Sequence, residues 1–272
     1  MERPLARLSR VIPLGATSQV QKKQRVIGEE GWERTSPFLF LSEDWFRAPG
    51  GFETHPHRGM QTVTIVLEGA LEHRDHTGAH GVLRAGDVQW MTAGRGVLHS
   101  EMPHAGETAH TLQLWLNLPQ AMKMIPARYQ DQRLADVAVR KIQGGEVRVF
   151  AGRSGDVSHA HGSDYPMSLL DIRLAGGARL AQEIAPGDRA FVYVLAGSAA
   201  IGGGEAKEGE VAWFEPGTGD EIAIAATGDF RGLLFAGQPI DEPIFAYGPF
   251  VMTTREEVVQ AFNDYQAGRF VS

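Results

Sequence analysis

The sequence predicts an all-β protein made of two tandem antiparallel sandwiches or barrels, followed by one C-terminal α-helix. Short runs of β-branched and aromatic residues recur roughly every eight to twelve residues, with glycine-containing turns between them. The same order of runs and turns occurs twice along the chain, which indicates a duplicated unit. The last segment instead spaces its apolar residues with the period of a helix.

The first half of the chain contains four predicted strands, which are bounded by turn residues rich in glycine and proline. They are Thr62–Leu67, Ala70–Arg74, Val88–Met91 and Leu112–Leu118. We expect the first of these strands to end at Glu68-Gly69, because glycine is the strongest local signal for a turn.

The second half repeats this scheme. Phe191–Gly197 is similar to Val63–Gly69, and Glu208–Gly217 is similar to Ala85–Gly94. Two copies of one β unit in tandem are the simplest interpretation of this similarity.

The position of the repeats predicts the domain boundaries. We expect a first barrel over residues 1–130 that carries the functional site, and a polar connection over 131–145. A second barrel is expected over 146–250, and a helical tail over 251–272.

The predicted helix at the end of the chain has both a start and a stop signal. The segment Thr253–Glu257 offers a capping box, and Gly268 ends the periodic pattern. Apolar residues between them follow helical spacing, namely Val258, Val259, Phe262 and Tyr265.

The composition excludes several classes of protein. The 272 residues carry a net charge of −7 and include no cysteine. An acidic chain lacks the basic stripe of a nucleic-acid surface. Because the chain has no cysteine, a metal site here must use nitrogen and oxygen ligands. Met1–Leu14 has no apolar signal-peptide core, and the longest uncharged run, Ala190–Gly204, is broken by glycines. We expect a cytoplasmic protein that contacts neither membrane nor nucleic acid directly.

The motifs His55-Pro-His57 and His99-Ser-Glu101 are the most informative feature of the chain. Side chains at positions i and i+2 of a strand lie on the same face, so each motif presents two potential ligands together. Two such strands side by side would bring three imidazoles and one carboxylate to a single point. This set suits a divalent transition metal such as iron, copper, nickel, manganese or zinc. We predict all four side chains as metal ligands.

The second copy provides an internal comparison for this site. Counting from the shared Val-Leu-x-Gly and Gly-acidic-Val-x-Trp motifs, the four ligand positions correspond to Glu183, Ala185, Ile222 and Ile224. Three of these residues are aliphatic or small. We therefore expect the first barrel to hold a metal ion and the second to hold none.

The predicted ligand set also indicates a kind of chemistry. Three neutral imidazoles and one carboxylate leave a divalent ion with a single net positive charge. Such a centre favours an anionic oxygen donor such as an enolate, and it lowers the pKa of a bound hydroxyl. Glu101 is the predicted catalytic residue, because it could remain a ligand or accept the substrate proton.

The other histidines are not predicted as ligands. Three of them surround the turn at Asp75–Gly78 and are expected to be solvated: His73, His76 and His80. A second HxH pair, His159 and His161, lies in a segment of loop composition with no carboxylate at matching spacing. Three strand tryptophans are expected in the core: Trp90, Trp115 and Trp213.

At these residues the chain resembles the pirin family, a branch of the cupin superfamily. The likeness covers nearly the whole chain and rests on specific segments: His55–Gly59, Val66–Gly69, Glu72–Asp75, Gly86–Gly94, Gly96–Pro103, Gln113–Pro119, Tyr247–Met252 and Thr254–Glu257. The resemblance implies two cupin (jelly-roll) barrels with one metal ion, usually iron, in the first. By position it implies the same four ligands.

The resemblance implies two alternative functions. Bacterial pirins are similar to quercetinases, which open flavonols such as quercetin with dioxygen and release carbon monoxide. Other pirins act as metal-dependent regulators that bind a transcription factor or a metabolic enzyme without known turnover. The first alternative implies an aromatic substrate and dioxygen, and the second a protein partner. Fe(II) is the expected ion, with Zn, Ni, Mn, Co or Cu as alternatives.

One departure from the family affects the predicted mechanism. Many pirins have a glutamate where this chain has Gln61, and a neutral amide cannot act as a base. Glu101 is then the only carboxylate expected to transfer a proton. The predicted walls of the substrate pocket are Phe52, Met60 and Gln113.

Overall fold

Extended structure dominates because the apolar runs of this chain are short, β-branched and separated by glycine. The computed structural model describes residues 1–28, 31–159 and 162–271. Over these residues the chain forms antiparallel sheets and one long helix close to the C-terminus. The predicted all-β class with a C-terminal helix is confirmed.

The strands in chain order are β1 (Arg7–Arg10), β2 (Ile12–Gly15), β3 (Lys22–Ile27), β4 (Phe38–Arg47), β5 (Phe52–His57), β6 (Met60–Asp75), β7 (His80–Arg84), β8 (Val88–Thr92), β9 (Val97–Pro103), β10 (Thr108–Asn117), β11 (Arg128–Gln132), β12 (Ala138–Ile142), β13 (Gly145–Ser154), β14 (Val157–His159), β15 (Met167–Leu174), β16 (Arg179–Glu183), β17 (Arg189–Ala196), β18 (Ser198–Ile201), β19 (Gly204–Lys207), β20 (Glu210–Phe214), β21 (Glu221–Ala226), β22 (Phe230–Gly237), β23 (Phe245–Tyr247) and β24 (Phe250–Met252). The helices are α1 (Trp32–Thr35) and α2 (Arg255–Gln266).

The chain divides into two units. The first unit contains Pro13–Leu134 and the chain from Ile240 onward, and the second contains Met1–Ile12 and Ala135–Pro239. We expected the first barrel to begin at residue 1 and the helical tail to follow the second barrel. Instead, the first residues of the chain belong to the second unit and the last residues belong to the first unit. The reason is strand pairing: β1 hydrogen-bonds to β20, so the first residues belong to the second unit. The expected connection also contributes β12, which pairs with β13.

The two units share one strand order. In the first unit, one sheet has the order β11-β8-β6-β10-β4-β3-β2. The long strand β6 also pairs with β7 and β9, and β9 pairs with β5, which gives a second order, β5-β9-β6-β7. In the second, the corresponding sheets have the orders β1-β20-β17-β22-β15-β13-β12 and β16-β21-β18-β19. The β5-β9-β6-β7 order therefore recurs as β16-β21-β18-β19.

Glycine bends the long strand of the first unit where we expected the strand to end. β6 passes through Gly69 at a φ of +72° and continues to Asp75. The register with β10 shifts just before Gly69, between the pairs made by Val66 and Glu68. An ideal Cβ at Gly69 would lie 1.8 Å from the carbonyl oxygen of Thr108, so no other residue fits there without movement. Gly197 has the same role between β17 and β18, with a φ of +73°.

The C-terminal helix begins at the predicted cap. The Thr254 hydroxyl accepts a hydrogen bond from the Glu257 amide, and the Glu257 carboxylate accepts one from the Thr254 amide. Val258 and Ala261 are buried, whereas Val259 is exposed, so only part of the predicted apolar stripe packs inward. Neither helix in the described residues has the length and apolar character that crossing a membrane requires.

Candidate metal centre

Strand pairing brings the two predicted motifs together. β5 and β9 are antiparallel neighbours, and in their register His55 lies opposite His99. Because side chains alternate along each strand, His57 falls on the same face as His55, and Glu101 on the same face as His99. The local sequence supplies the i, i+2 spacing, and the register converts it into a cluster.

Three histidines form this cluster. One potential ligand nitrogen from each of His55, His57 and His99 lies within 4.8 Å of the others. The ring centroids of His55 and His99 are 4.3 Å apart, and those of His57 and His99 are 5.0 Å apart. His57 and His99 are buried, and His55 is partly exposed. The cluster therefore has one side that a small molecule can approach.

The hydrogen bonds of the rings leave nitrogen atoms free to bind an ion. Nδ1 of His55 lies 2.7 Å from the carbonyl oxygen of Glu53, which leaves its Nε2 available. The Nε2 of His99 is buried and has no hydrogen-bond partner among the described residues. Neither ring nitrogen of His57 has a partner of ordinary geometry there, although the Pro249 carbonyl is close enough to favour its protonated form. Buried polar atoms rarely lack partners, so these atoms fit a divalent metal ion.

Burial keeps these rings in the form that binds metals. Loss of hydration lowers the pKa of His57 and His99 well below the ordinary value, and it lowers the pKa of His55 as well. The neighbouring imidazoles lower the pKa of His57 and His99 further. Neutral imidazole is the metal-binding form, so protons compete weakly at this site.

Glu101 is buried beside the cluster and is held by two donors. Its Oε1 accepts a hydrogen bond from the Thr64 hydroxyl at 3.0 Å, and its Oε2 accepts one from the Gln113 amide at 2.5 Å. Burial raises the pKa of Glu101, and His73 and these two hydrogen bonds oppose that shift. The group within 4.8 Å contains only the histidines, so Glu101 as a fourth ligand stays a prediction.

His73 is a functional candidate that the sequence analysis missed. It was expected to be solvated, but it is fully buried, and its Nε2 lies 3.1 Å from Nδ1 of His99. β6 pairs with β9 so that His73 lies opposite Glu101. If Nε2 of His99 binds the ion, its Nδ1 carries the hydrogen and donates it to His73, which orients the ligand ring.

The predicted wall residues occupy different places. The Phe52 ring meets the His55 ring edge to face, with centroids 6.0 Å apart. Gln113 holds Glu101, and its own Oε1 accepts a hydrogen bond from the Trp115 indole. Met60 is fully buried in an apolar cluster of the first unit. Their role as substrate contacts stays a prediction.

The remaining histidines among the described residues are separate from the cluster. His76 and His80 are exposed, as predicted. His104 contacts the Glu72 carboxylate, and His110 stacks on a tryptophan ring beside Glu43. His159 ends the short strand β14, where a loop was expected, and its HxH partner His161 lies outside the described residues. Among the strand tryptophans, Trp90 and Trp213 are buried as expected, whereas Trp115 is partly exposed.

The register of the second unit corrects one detail of the repeat. In the first unit His55 lies opposite His99, and in the second Gln182 lies opposite Ile222. The counterpart of His55 is therefore Gln182 and not Glu183, which we predicted by counting along the chain. The count failed because the connection to the next strand is one residue longer in the second unit.

The same register leaves Ile222 and Ile224 as the predicted counterparts of His99 and Glu101 and moves the counterpart of His57. His57 corresponds to the buried Ile184 and not to Ala185, and His73 corresponds to Ile201. One buried amide and four buried isoleucines thus replace the four histidines and the carboxylate. In the described residues of the second unit the four isoleucines belong to one aliphatic core, and the Gln182 amide is hydrogen-bonded to Ser154 and to the Arg153 carbonyl.

Comparison with known proteins identifies the family. The model of the Pirin family matches residues 19–116, and the model of the Pirin C-terminal cupin domain matches residues 169–271. The chain belongs to the pirin family. A pirin-like protein of Solanum lycopersicum is 40% identical over 249 residues, which cover 90% of this chain and 86% of that protein.

Solved structures of pirins and their relatives share the architecture. A structure named quercetin 2,3-dioxygenase, from Acinetobacter baumannii, has a TM-score of 0.91 at 32% identity and covers 100% of this chain and 99% of its own. The bacterial pirin YhhW of Escherichia coli, solved in complex with nickel(II), has a TM-score of 0.69 at 26% identity. That match covers 88% of this chain and 98% of YhhW. The predicted pair of cupin barrels is confirmed.

Proposed function

We propose that this pirin is a metal-dependent dioxygenase that cleaves flavonols such as quercetin, with Fe(II) as its ion. The observation that carries the proposal is the cluster of three neutral histidines with ring nitrogens free to bind. The name of the Acinetobacter baumannii relative supports the substrate class.

His55, His57 and His99 would hold the ion. When bound, the ion would supply a positive charge that favours the deprotonated 3-hydroxyl of a flavonol. His55 lies on the exposed side of the cluster, and Phe52 stands edge-on against it. We assign this side to substrate entry, with Phe52 as an aromatic wall for the flavonol rings.

Glu101 is the residue that we assign to the substrate proton. A buried carboxylate whose pKa is raised is a stronger base than an exposed one. Thr64 and Gln113 each donate to one of its oxygens, so the carboxylate keeps a fixed orientation while it accepts the proton. The buried interior around Glu101 excludes bulk water from this step.

A direct assay tests the proposal. Protein loaded anaerobically with Fe(II) should remove quercetin absorbance and release carbon monoxide once dioxygen is admitted. Glu101→Gln should lower kcat by roughly 10²–10⁴-fold, the usual contribution of a general base. Glu107→Gln is the matched control, because Glu107 is exposed. If Fe, Ni, Mn, Co, Cu and Zn all give no turnover, the dioxygenase is rejected in favour of a non-enzymatic role with a protein partner.

A further inference from the structure

A pocket of about 260 Å³ opens in the first unit apart from the histidine cluster. Three aromatic side chains line it, Trp32, Phe40 and Trp115, together with the apolar Leu39 and Val251. None of the three clustered histidines belongs to its lining. Among the described residues no charged side chain lines it either.

The fold holds the aromatic walls in place. Phe40 on β4 and Trp115 on β10 are directly opposite in the strand register, and their ring centroids are 5.5 Å apart. Gly28 also lines the pocket, and an ideal Cβ there would lie 3.0 Å from the Phe40 ring. A residue with a side chain at position 28 would crowd this ring. All three aromatic residues are only partly buried, so apolar ring surface remains in contact with water.

We propose that this pocket is a second small-molecule site, which binds an uncharged planar aromatic molecule of one or two fused rings. An apolar cavity of about 150 Å³ is known to bind benzene, so the larger volume here suits a two-ring molecule. Tryptophan and phenylalanine walls offer stacked and edge-to-face contacts to such a ligand. The described residues of the lining carry no charge, which disfavours the binding of ions there. The site does not depend on the proposed flavonol cleavage.

Trp115 places this site next to the metal centre. Its ring meets the His57 ring edge to face with centroids 5.3 Å apart, and its indole N–H donates to Oε1 of Gln113. Gln113 in turn donates to Glu101. A ligand stacked on Trp115 therefore lies one side chain away from a predicted metal ligand and from the residue that holds the predicted base.

Binding of 2-naphthol to the metal-free protein tests the proposal. We expect saturable binding of one molecule per chain, with a dissociation constant on the order of 0.1–1 mM, as is usual for a ligand of this size. The ring signals of His57 should shift in nuclear magnetic resonance spectra on titration, because Trp115 contacts that ring. Absence of saturable binding up to the solubility limit would overturn the proposal.

Two substitutions on one strand locate the site. Ala246 on β23 lines the pocket, so Ala246→Phe should fill it and weaken 2-naphthol binding at least about tenfold. Phe245 is the adjacent residue and faces the opposite side of β23, so Phe245→Trp should change the affinity by less than about twofold. Equal weakening in both variants, or no weakening in the first, would refute the assignment. If Ala246→Phe does not fold, Trp32→Ala removes one wall and should also weaken binding.

Discussion

His73 shows how a single side chain connects the sequence to the metal site. The i, i+2 relation to the buried Leu71 was a signal that His73 points inward, but the nearby turn favoured an exposed position. The register of β6 with β9 then decides what His73 contacts, and it places Nε2 3.1 Å from His99. A residue that hydrogen-bonds to a metal ligand and fixes its orientation commonly strengthens metal binding.

Replacing His73 tests this orienting role. His73→Phe keeps an aromatic ring but removes the nitrogen that lies 3.1 Å from Nδ1 of His99, so affinity for Ni(II) should fall about 10–100-fold. Isothermal titration calorimetry measures the effect. The same substitution at the exposed His76 is the control. Equal affinities in the two variants would show that His73 does not orient the ligand.

Removal of a clustered histidine tests the ligand set itself. His99→Ala should abolish both metal retention and flavonol turnover, because the ring supplies one of three nitrogen ligands within the cluster. His159→Ala should change neither property. Elemental analysis of the purified variants measures the metal, and full retention in His99→Ala would contradict the predicted ligands.

At the scale of elements, glycine positions determine how the strands bend. We predict that Gly69→Ala lowers the free energy of unfolding by at least about 3 kcal/mol, because the new Cβ would overlap the Thr108 carbonyl at a positive φ. Gly78→Ala is the matched control, since Gly78 also has a positive φ but has no atom within 4 Å of an ideal Cβ. Its cost should be about 1 kcal/mol from backbone strain alone. Urea unfolding measures the loss of stability in both variants. Equal losses would show that the close approach of position 69 to the Thr108 carbonyl does not explain the need for glycine there.

At the scale of elements, the sequence motifs predicted that strands form more reliably than they predicted the residues at which those strands end. β8 and β10 lie close to the predicted runs, and the capping box at Thr254 begins α2. Glu68-Gly69 predicts the end of a strand, but Gly69 is a bend within β6. A positive φ serves equally in a turn and in a bent strand, so the residue type alone does not distinguish them.

At the scale of the whole molecule, the buried histidines should make the metal-free protein less stable as the pH falls. Burial lowers the pKa of His57 and His99 well below that of an unfolded chain, so below about pH 6.5 the unfolded state binds protons that the folded state does not. The free energy of unfolding should therefore fall as pH decreases, by at most about 3 kcal/mol for both groups near pH 5.5. The raised pKa of Glu101 acts in the opposite direction and reduces the slope.

Thermal or urea unfolding across about pH 7.5 to 5.5 measures this slope. The double variant His57→Phe/His99→Phe should have a smaller slope, because no imidazole remains to be protonated at these two positions. The lowered pKa values of His55 and His73 should preserve the rest of it. His76→Phe should keep the full slope, since His76 is exposed. A metal-free protein whose stability is independent of pH in this window would contradict the prediction.

Local sequence by itself determined the all-β class, the duplicated unit, the capped C-terminal helix and the three histidines of the cluster. These features depend on turn residues, on two-residue and helical periods and on i, i+2 spacing, all of which act over a few neighbouring positions. Tertiary structure alone decided that His73 contacts His99, that Gln182 is the counterpart of His55, and that the chain from Ile240 onward returns to the first unit. Those relations depend on hydrogen-bond register between strands distant in sequence, where a shift of one residue moves every side chain to the other face.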